Sequence, residues 1–311
     1  MLKYTVKRVL QALIVLWGVY TLTFLVVHMV PGDPVQIMMS KRADPAMMER
    51  IREQLGLNRP ILAQYVSYLG RALQGELGQS YIKGVPVTQL IGTGFKTTAF
   101  VGLTAYGLAI LIGLPIGMLA AERRGRLADR MSIVFSMMMM SVPGFWLAVL
   151  LQILFGLKLE WFPISGMERD FWWVLPVLTL AIAYSASLAR MTRTNVLDVL
   201  SQDYVRTARA KGLRPRQVKL IHVMKNVAIP TVTLFGLQLP SLLGGAMILE
   251  KIFSLKGVGA VAIEAITNRD YPVILGSVLY TATIFVVINL TVDLLYGLLD
   301  PRIRITGRSD A

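Results

Sequence analysis

"SQDYVRTARAKGLRPRQVKLIHVMKN", residues 201–226, is a basic, helix-forming stretch set between two long apolar runs. Its cations are Arg206, Arg209, Lys211, Arg214, Arg216, Lys219 and Lys225. The rest of the chain is greasy: of 311 residues, 55% are hydrophobic and only 16% charged. A soluble domain carries about a quarter charged residues, so these proportions point to an integral membrane protein. The net charge of +14 would point to nucleic acid in a soluble chain. Here the excess sits in loops between apolar runs, and no basic surface interleaved with aromatics accompanies it, so a nucleic-acid partner is not expected. With no cysteine there is no disulfide, thiolate metal site or thiol catalysis.

A crossing helix needs about 20 mostly apolar residues. Six runs qualify, at about 9–30, 99–121, 131–156, 171–190, 228–250 and 276–299. Each contains Gly or Pro, most densely at "GLPIG" (Gly113, Pro115, Gly117) and "LPSLLGG" (Pro240, Gly244, Gly245). Small residues allow close helix packing, and neighbouring helices satisfy a broken backbone, so the expectation is an all-α bundle of kinked spans. The first run follows Lys3, Lys7 and Arg8 and leads into "VVHMVPGDP" with no small-residue cleavage site, which reads as an uncleaved span. Lys and Arg number 19 on the side shared by the N-terminus, 122–130, 190–227 and the tail after 299. On the other side 157–170 and 251–275 hold five, and the long segment 31–98 is discounted. Both termini and the 201–226 stretch are therefore expected in the cytoplasm.

The organisation expected is a cytoplasmic N-terminus and first span (1–30), an extracytoplasmic helical segment (31–98), a core of five spans (99–299) with a cytoplasmic loop at 191–227, and a cytoplasmic tail (300–311). In 31–98, "PGDP" (Pro31 to Pro34) reads as a turn. "DPAMMERIREQLGL" reads as a helix with Asp44 at the N-cap, Pro45 first and Gly56 near its end. "RPILAQYVSYLGRALQGELG" reads as a second helix.

In the basic stretch, Ser201 or Asp203 can cap a short helix, Gly212 can end it and Pro215 can start the next. Val205 and Ala208 share one side, and the small Ala208 and Ala210 would let another surface approach closely. Arg206, Arg209, Lys211, Arg214 and Arg216 would ring that contact. Two readings stay open on this ground: a docking helix for an acidic or carbonyl-rich partner, or a loop resting on anionic lipid.

"YVRTARAKGL" (Tyr204 to Leu213) resembles the coupling-helix motif of ABC importer permeases, in the binding-protein-dependent dipeptide, oligopeptide and nickel branch. The same branch is matched in chain order by "VVHMVPGDP" (Val26 to Pro34), "QLGLNRP" (Gln54 to Pro60), "RDYPV" (Arg269 to Val273) and "LLDPRIR" (Leu298 to Arg304). Dipeptide and glutathione importer permeases are similar throughout. Two departures stand out. Arg206, Thr207 and Ala208 occupy the Glu-Ala-Ala places of the general motif, and "LKGVG" (Leu255 to Gly259) stands where the branch has Trp-Pro-Gly-Leu-Gly.

The resemblance implies a type I importer permease bundle in a bacterial inner membrane. It implies that Tyr204, Val205, Arg206, Thr207, Ala208, Arg209, Ala210, Lys211, Gly212 and Leu213 dock in a groove of a cytoplasmic ATPase. Its implied partners are a second related permease, two ABC ATPase subunits and an extracytoplasmic solute-binding protein, with lipid around the spans. ATP and Mg would be held by the ATPases and no cofactor by this chain. The cargo implied is a dipeptide, an oligopeptide or glutathione, with nickel as the rival cargo and an ATP-independent transporter as the rival class.

The chain has no Walker A sequence. "GTGFKTT" (Gly92 to Thr98) lacks the G-x-x-x-x-G-K-[ST] spacing. No Ser/His/Asp set, HExxH or carboxylate pair points to catalysis, and no metal site or substrate-path residue can be read out. Asp293, at the end of the last span, is expected to pair with an Arg. His28 is expected to be a hydrogen-bonded residue near a membrane surface. "MMMM" (Met137 to Met140) is expected to pack in the core. Arg190 and Arg193 are expected to close the fourth span.

Overall fold

The computed structural model describes residues 2–29, 35–36, 45–214 and 217–299. Along the chain run α1 (Leu2–Met29), α2 (Pro45–Leu55), α3 (Ile61–Leu73), α4 (Val87–Glu122), α5 (Leu127–Ser141) and α6 (Gly144–Leu151), which continues as a π-helical segment, Gln152–Lys158. Then come α7 (Val174–Leu200), α8 (Asp203–Ala210), a π-helical segment at Val218–Val223 leading into α9 (Met224–Ile252), α10 (Val258–Asn268) and α11 (Tyr271–Leu299). Among the described residues the only β pairing is an isolated bridge between Gln79 and Pro86.

Helices α1, α4, α7 and α11 are long and apolar enough to cross a bilayer. The pair α5 and α6 passes the same test together but bends by 99° at its break. The sequence predicts one span there, at 131–156. The break follows from Pro143, which lacks an N–H and holds Val142 extended at φ −85°, ψ 121°. The remaining predicted span, 228–250, lies within the 29 residues of α9. Helices α4 and α7 outrun their predicted spans furthest. The 36 residues of α4 begin at Val87 rather than 99, and α7 continues to Leu200 rather than ending at 190. At 1.5 Å per residue α4 is about 54 Å long, well beyond the hydrocarbon layer.

The chain forms two compact units. One comprises Leu2–Thr98 with Lys256–Val287. In it Tyr20 and Phe24 of α1 pack with Tyr65, Tyr68 and Leu69 of α3 and with Leu275 of α11. His28 stacks on Phe24 and is hydrogen-bonded to the Phe24 carbonyl (2.8 Å) and the Gln64 side chain (3.3 Å), as its place near the end of α1 predicts. A clasp at the head of α11 ties the 79–86 loop down. The buried Asp270 carboxylate accepts from the Ser80 hydroxyl (2.5 Å) and from the Tyr81 (3.0 Å) and Ile82 (3.4 Å) amides. "RDYPV" is thus a structural motif: Arg269 turns left-handed at φ 52°, Asp270 anchors the loop, and Pro272 sits in the first turn of α11. Beside it the Tyr68 and Tyr81 hydroxyls bond at 2.7 Å, and burial pushes both phenols above the ordinary range. As predicted, α2 starts at Pro45, and Gly56 follows its end at φ 69°. The Asp44 cap and the Pro31–Pro34 turn lie outside the described residues.

The other unit is Ala99–Leu255 with the chain from Ile288 on. Its axis is α7, which packs against α5, α6 and α9. Leu175, Val177 and Leu180 at the start of α7 join Val101 and Ala105 of α4, Ala148 and Leu151 of α6, and Leu249 and Phe253 at the end of α9. Farther along, α4 lies almost on α7. A Cβ on Gly113 would stand 2.7 Å from the Ser185 carbonyl oxygen, and one on Gly117 still closer to that of Ala189. "GLPIG" is therefore a contact surface as well as a Pro-containing stretch.

The methionine run is corrected. Met137, Met138 and Met140 are exposed, while the buried residues of α5 are Asp129, Ser132 and Ser136. In lipid there is no hydrophobic reason to turn Met inward, whereas small residues shorten the distance to a neighbouring helix. "GTGFKTT" lies within the continuous helix α4, which no phosphate-cradling loop could do. Asp293 lies in α11, but its side chain and the 300–311 tail fall outside the described residues.

Gly117→Val should cost at least about 3 kcal/mol, because its nearest obstacle is backbone rather than a flexible side chain. Gly107→Val, with nothing within 4 Å of its Cβ, should be nearly neutral. Thermal unfolding of both variants in detergent checks this: Gly117→Val should melt well below the parent and Gly107→Val close to it.

Candidate functional site

The basic stretch folds as predicted around α8, with different residues at its cap. Gln202, extended at φ −72°, ψ 146°, is the N-cap and makes no side-chain cap bond. Ser201 instead donates to the Asp198 carbonyl (2.7 Å), and Asp203 is the first residue of the helix. Asp203 places a carboxylate at the positive end of the helix, the favourable end for an anion. Gly212 ends the helix in the left-handed region at φ 76°. Its N–H donates to the Arg209 carbonyl (3.0 Å), and the Leu213 N–H reaches the Ala208 carbonyl (3.4 Å). Pro215 and Arg216 lie outside the described residues.

The eight residues of α8 are strongly amphipathic. Val205 is fully buried and Ala208 nearly so. They sit in an apolar cluster with Ala121 from the end of α4, Val196 of α7, and Val218, Val223 and Val227 from the approach to α9 and its start. Met118, Leu197, Val199 and Leu200 close around it. The sequence reading put Ala208 on a face offered to a partner. The structure turns it inward onto the protein's own core, because Val205 and Ala208, three apart, are the face that can leave water. Tyr204, Arg206, Thr207, Arg209, Ala210, Lys211, Gly212 and Leu213 are exposed. Arg206 lies only 3.8 Å from Asp203, a solvent-facing i,i+3 pair worth little. The outward face is thus cationic with a tyrosine at its edge.

A second fastening joins the same region. Asp129, buried in the first turn of α5, takes a hydrogen bond from the Gly125 amide (2.8 Å). It also takes a two-pronged pair from Arg193 of α7, Nε to Oδ1 at 2.5 Å and Nη2 to Oδ2 at 3.1 Å. Such a fork fixes geometry as well as charge. Arg193 therefore does more than close a span: it locks α5 to α7 one turn before Val196. No local sequence pattern pairs residues 64 apart. The ends of α4 and α7, the starts of α5 and α9, and α8 together form one block.

The "Binding-protein-dependent transport system inner membrane component" model matches residues 113–305, and its N-terminal companion matches residues 1–104. The chain belongs to this family. It is a multi-pass inner-membrane permease component of an ABC importer, not an enzyme. It is similar to the "Glutathione transport system permease protein GsiC" of Escherichia coli O6:H1, at 41% identity over 98% of this chain and 99% of that one. The protein of the same name from Pectobacterium atrosepticum is 40% identical over the same shares. Among solved structures the fold is similar to an inward-facing MetNI methionine ABC transporter, with TM-score 0.56 and 17% identity over 68% of this chain and 97% of that one. It is also similar to an amino acid ABC transporter, with TM-score 0.52 and 21% identity over 69% and 94%.

Val205→Ala should loosen α8 by about 2 kcal/mol through lost burial and the cavity left behind. Arg206→Glu and Arg209→Glu, on the solvent face, should each change stability by less than about 0.5 kcal/mol. Limited proteolysis of the 201–217 region checks the contrast: cleavage should speed up in the valine variant only.

Proposed function

We propose that this permease forms one half of the translocation path of an ATP-driven importer for glutathione or a similarly small peptide. An extracytoplasmic binding protein delivers the solute. Similarity along almost its whole length to a glutathione permease carries this reading. Both termini and the 191–227 loop lie in the cytoplasm, where 19 Lys and Arg collect against five on the short outer loops. The exposed face of α8, from Tyr204 to Leu213, docks in a groove of an ABC ATPase. A second, related permease completes the path, and two ATPase subunits bind ATP and Mg.

The mechanism follows from how α8 is seated. The short helix has little stiffness of its own, yet its buried face is continuous with the end of α7 and the start of α9. When the ATPase pair closes on ATP, a push on α8 passes through Val205 and Ala208 into those two helices. The Asp129–Arg193 fork passes the same displacement to α5. The two permease halves then rock between inward- and outward-facing states, and hydrolysis resets them. The basic helix transmits force and does no chemistry.

Reconstitution of the complete complex in liposomes tests this. Adding the binding protein with S-methylglutathione should raise ATP hydrolysis and drive uptake, and Arg206→Glu with Arg209→Glu should lower both by about tenfold or more. Uptake that persists without ATP would contradict the importer reading. Stimulation by Ni²⁺ and not by peptides would contradict the cargo.

A further inference from the structure

Helix α3 is amphipathic in the opposite sense to a helix in water. Its buried residue is the polar Gln64. The Gln64 amide donates to the Leu57 (3.1 Å) and Arg59 (2.9 Å) carbonyls, and its oxygen lies 3.3 Å from the His28 ring of α1. Tyr65 and Tyr68 turn the same way, toward Tyr20 and Phe24. On the other side Leu62, Val66 and Leu73 are exposed at 73%, 59% and 80%. Spaced by four and seven residues, they fall on one stripe of the helix, and Ala63 beside them is exposed as well. The preceding α2 shows the ordinary pattern. It exposes Glu49, Arg50, Glu53 and Gln54, with Met47 as its one exposed large apolar side chain.

The height at which α3 meets α1 decides which solvent covers that stripe. After Lys7 and Arg8, residues 9–27 of α1 carry no charge. At 1.5 Å per residue that stretch is about 28 Å long, close to the thickness of the hydrocarbon layer, which therefore ends near His28. Helix α3 is fastened to α1 below that level. The Tyr20 hydroxyl donates to the Tyr65 carbonyl (2.9 Å), the Tyr65 and Thr21 hydroxyls bond at 2.8 Å, and the Phe24 and Tyr65 rings meet edge-on at 5.3 Å. Tyr20 lies eight residues, about 12 Å, before His28. On the free side of the same stretch of α1, Leu22, Leu25, Val26 and Met29 are exposed. The apolar stripe of α3 thus continues the lipid-facing surface of a crossing helix. The one charge of α3, Arg71 in its last turn, lies 4.8 Å over the Tyr68 ring. Tyrosines and an arginine with an apolar stem are the residues that favour the headgroup level.

We propose that α3 lies in the membrane surface at the Met29 end of α1, with Leu62, Val66 and Leu73 immersed in the acyl-chain boundary of that leaflet. The partner of this face is lipid rather than a soluble protein. Immersion removes the apolar stripe from water, while the helix closes its own backbone hydrogen bonds and the polar side is satisfied by α1 and the 57–59 turn. Through the bond between the Tyr68 and Tyr81 hydroxyls (2.7 Å), α3 then holds the 79–86 loop and its Asp270 clasp at a fixed height on the bilayer. The proposal is independent of the cargo and of the ATPase.

The chain has no cysteine, so single cysteines can carry a nitroxide label without background. Leu62→Cys and Val66→Cys probe the stripe. Glu53→Cys on α2 is the water reference and Leu22→Cys on α1 the lipid reference. Each labelled chain, with the subunits that co-purify with it, is placed in nanodiscs of phosphatidylethanolamine and phosphatidylglycerol. Power-saturation EPR then compares collisions with oxygen, which partitions into lipid, and with water-soluble chromium oxalate. Labels at Leu62 and Val66 should meet oxygen as the Leu22 label does, be shielded from chromium oxalate, and read a depth of about 5–10 Å into the headgroup and acyl boundary. The Glu53 label should read as water.

Chromium oxalate collisions at Leu62 and Val66 as frequent as at Glu53 would overturn the proposal and leave the stripe to water. Shielding of both positions from oxygen and chromium oxalate alike would also overturn it, because that is the signature of a face covered by another protein.

Discussion

Whatever α8 transmits must pass through the contact that Val205 and Ala208 make with Val196, Val218, Val223 and Val227. That seat is small, apolar and closed to water. It turns a helix of eight residues, which would be marginal alone, into a fixed part of the block formed by the ends of α4 and α7 and the start of α9. It also decides which residues are left for a partner. With Val205 and Ala208 turned inward, the outward face carries Arg206, Arg209 and Lys211 with Thr207 and Tyr204, beside Asp203, Ala210 and Leu213. Loss of the seat would leave that face intact in composition but attached to nothing that crosses the membrane.

The seat in turn depends on how closely the long helices lie. Gly113 and Gly117 let α4 rest on the backbone of α7, and Asp129 with Arg193 fixes α5 against α7. Each contact uses a different physical means: backbone proximity, a charged fork, and side-chain burial around α8. All three act on α7. Helix α7 thus ties the seat of α8 to α4, α5, α6 and α9.

Much of this arrangement is legible from residue order. Span existence follows from apolar run length, and the end of α8 from Gly212, which takes a positive φ there. The break at Pro143 was present in the sequence as "SVPG", but a run-length reading passes through it. The ends of α4 and α7 were hidden because a helix can continue past the bilayer without any change in local preference. Ala208 was misplaced because a small residue fits equally well against a partner or against its own chain; only the positions of Val196 and Val223 decide between them. Met137–Met140 was misread by a rule for soluble cores, where softness is used inside rather than outside. The Asp129–Arg193 fork depends on which helices meet, which no single helix reveals.

The central claim is that the outward face of α8 meets a cytoplasmic ATPase. A photo-crosslinking amino acid placed at Thr207, exposed at the middle of that face, tests it in native membranes. Illumination followed by mass spectrometry should yield an adduct between this chain and a P-loop ATPase, and the same residue at Leu111 should give none. Adducts at Thr207 with phospholipid alone would contradict the account, leaving α8 as a basic helix resting on the membrane.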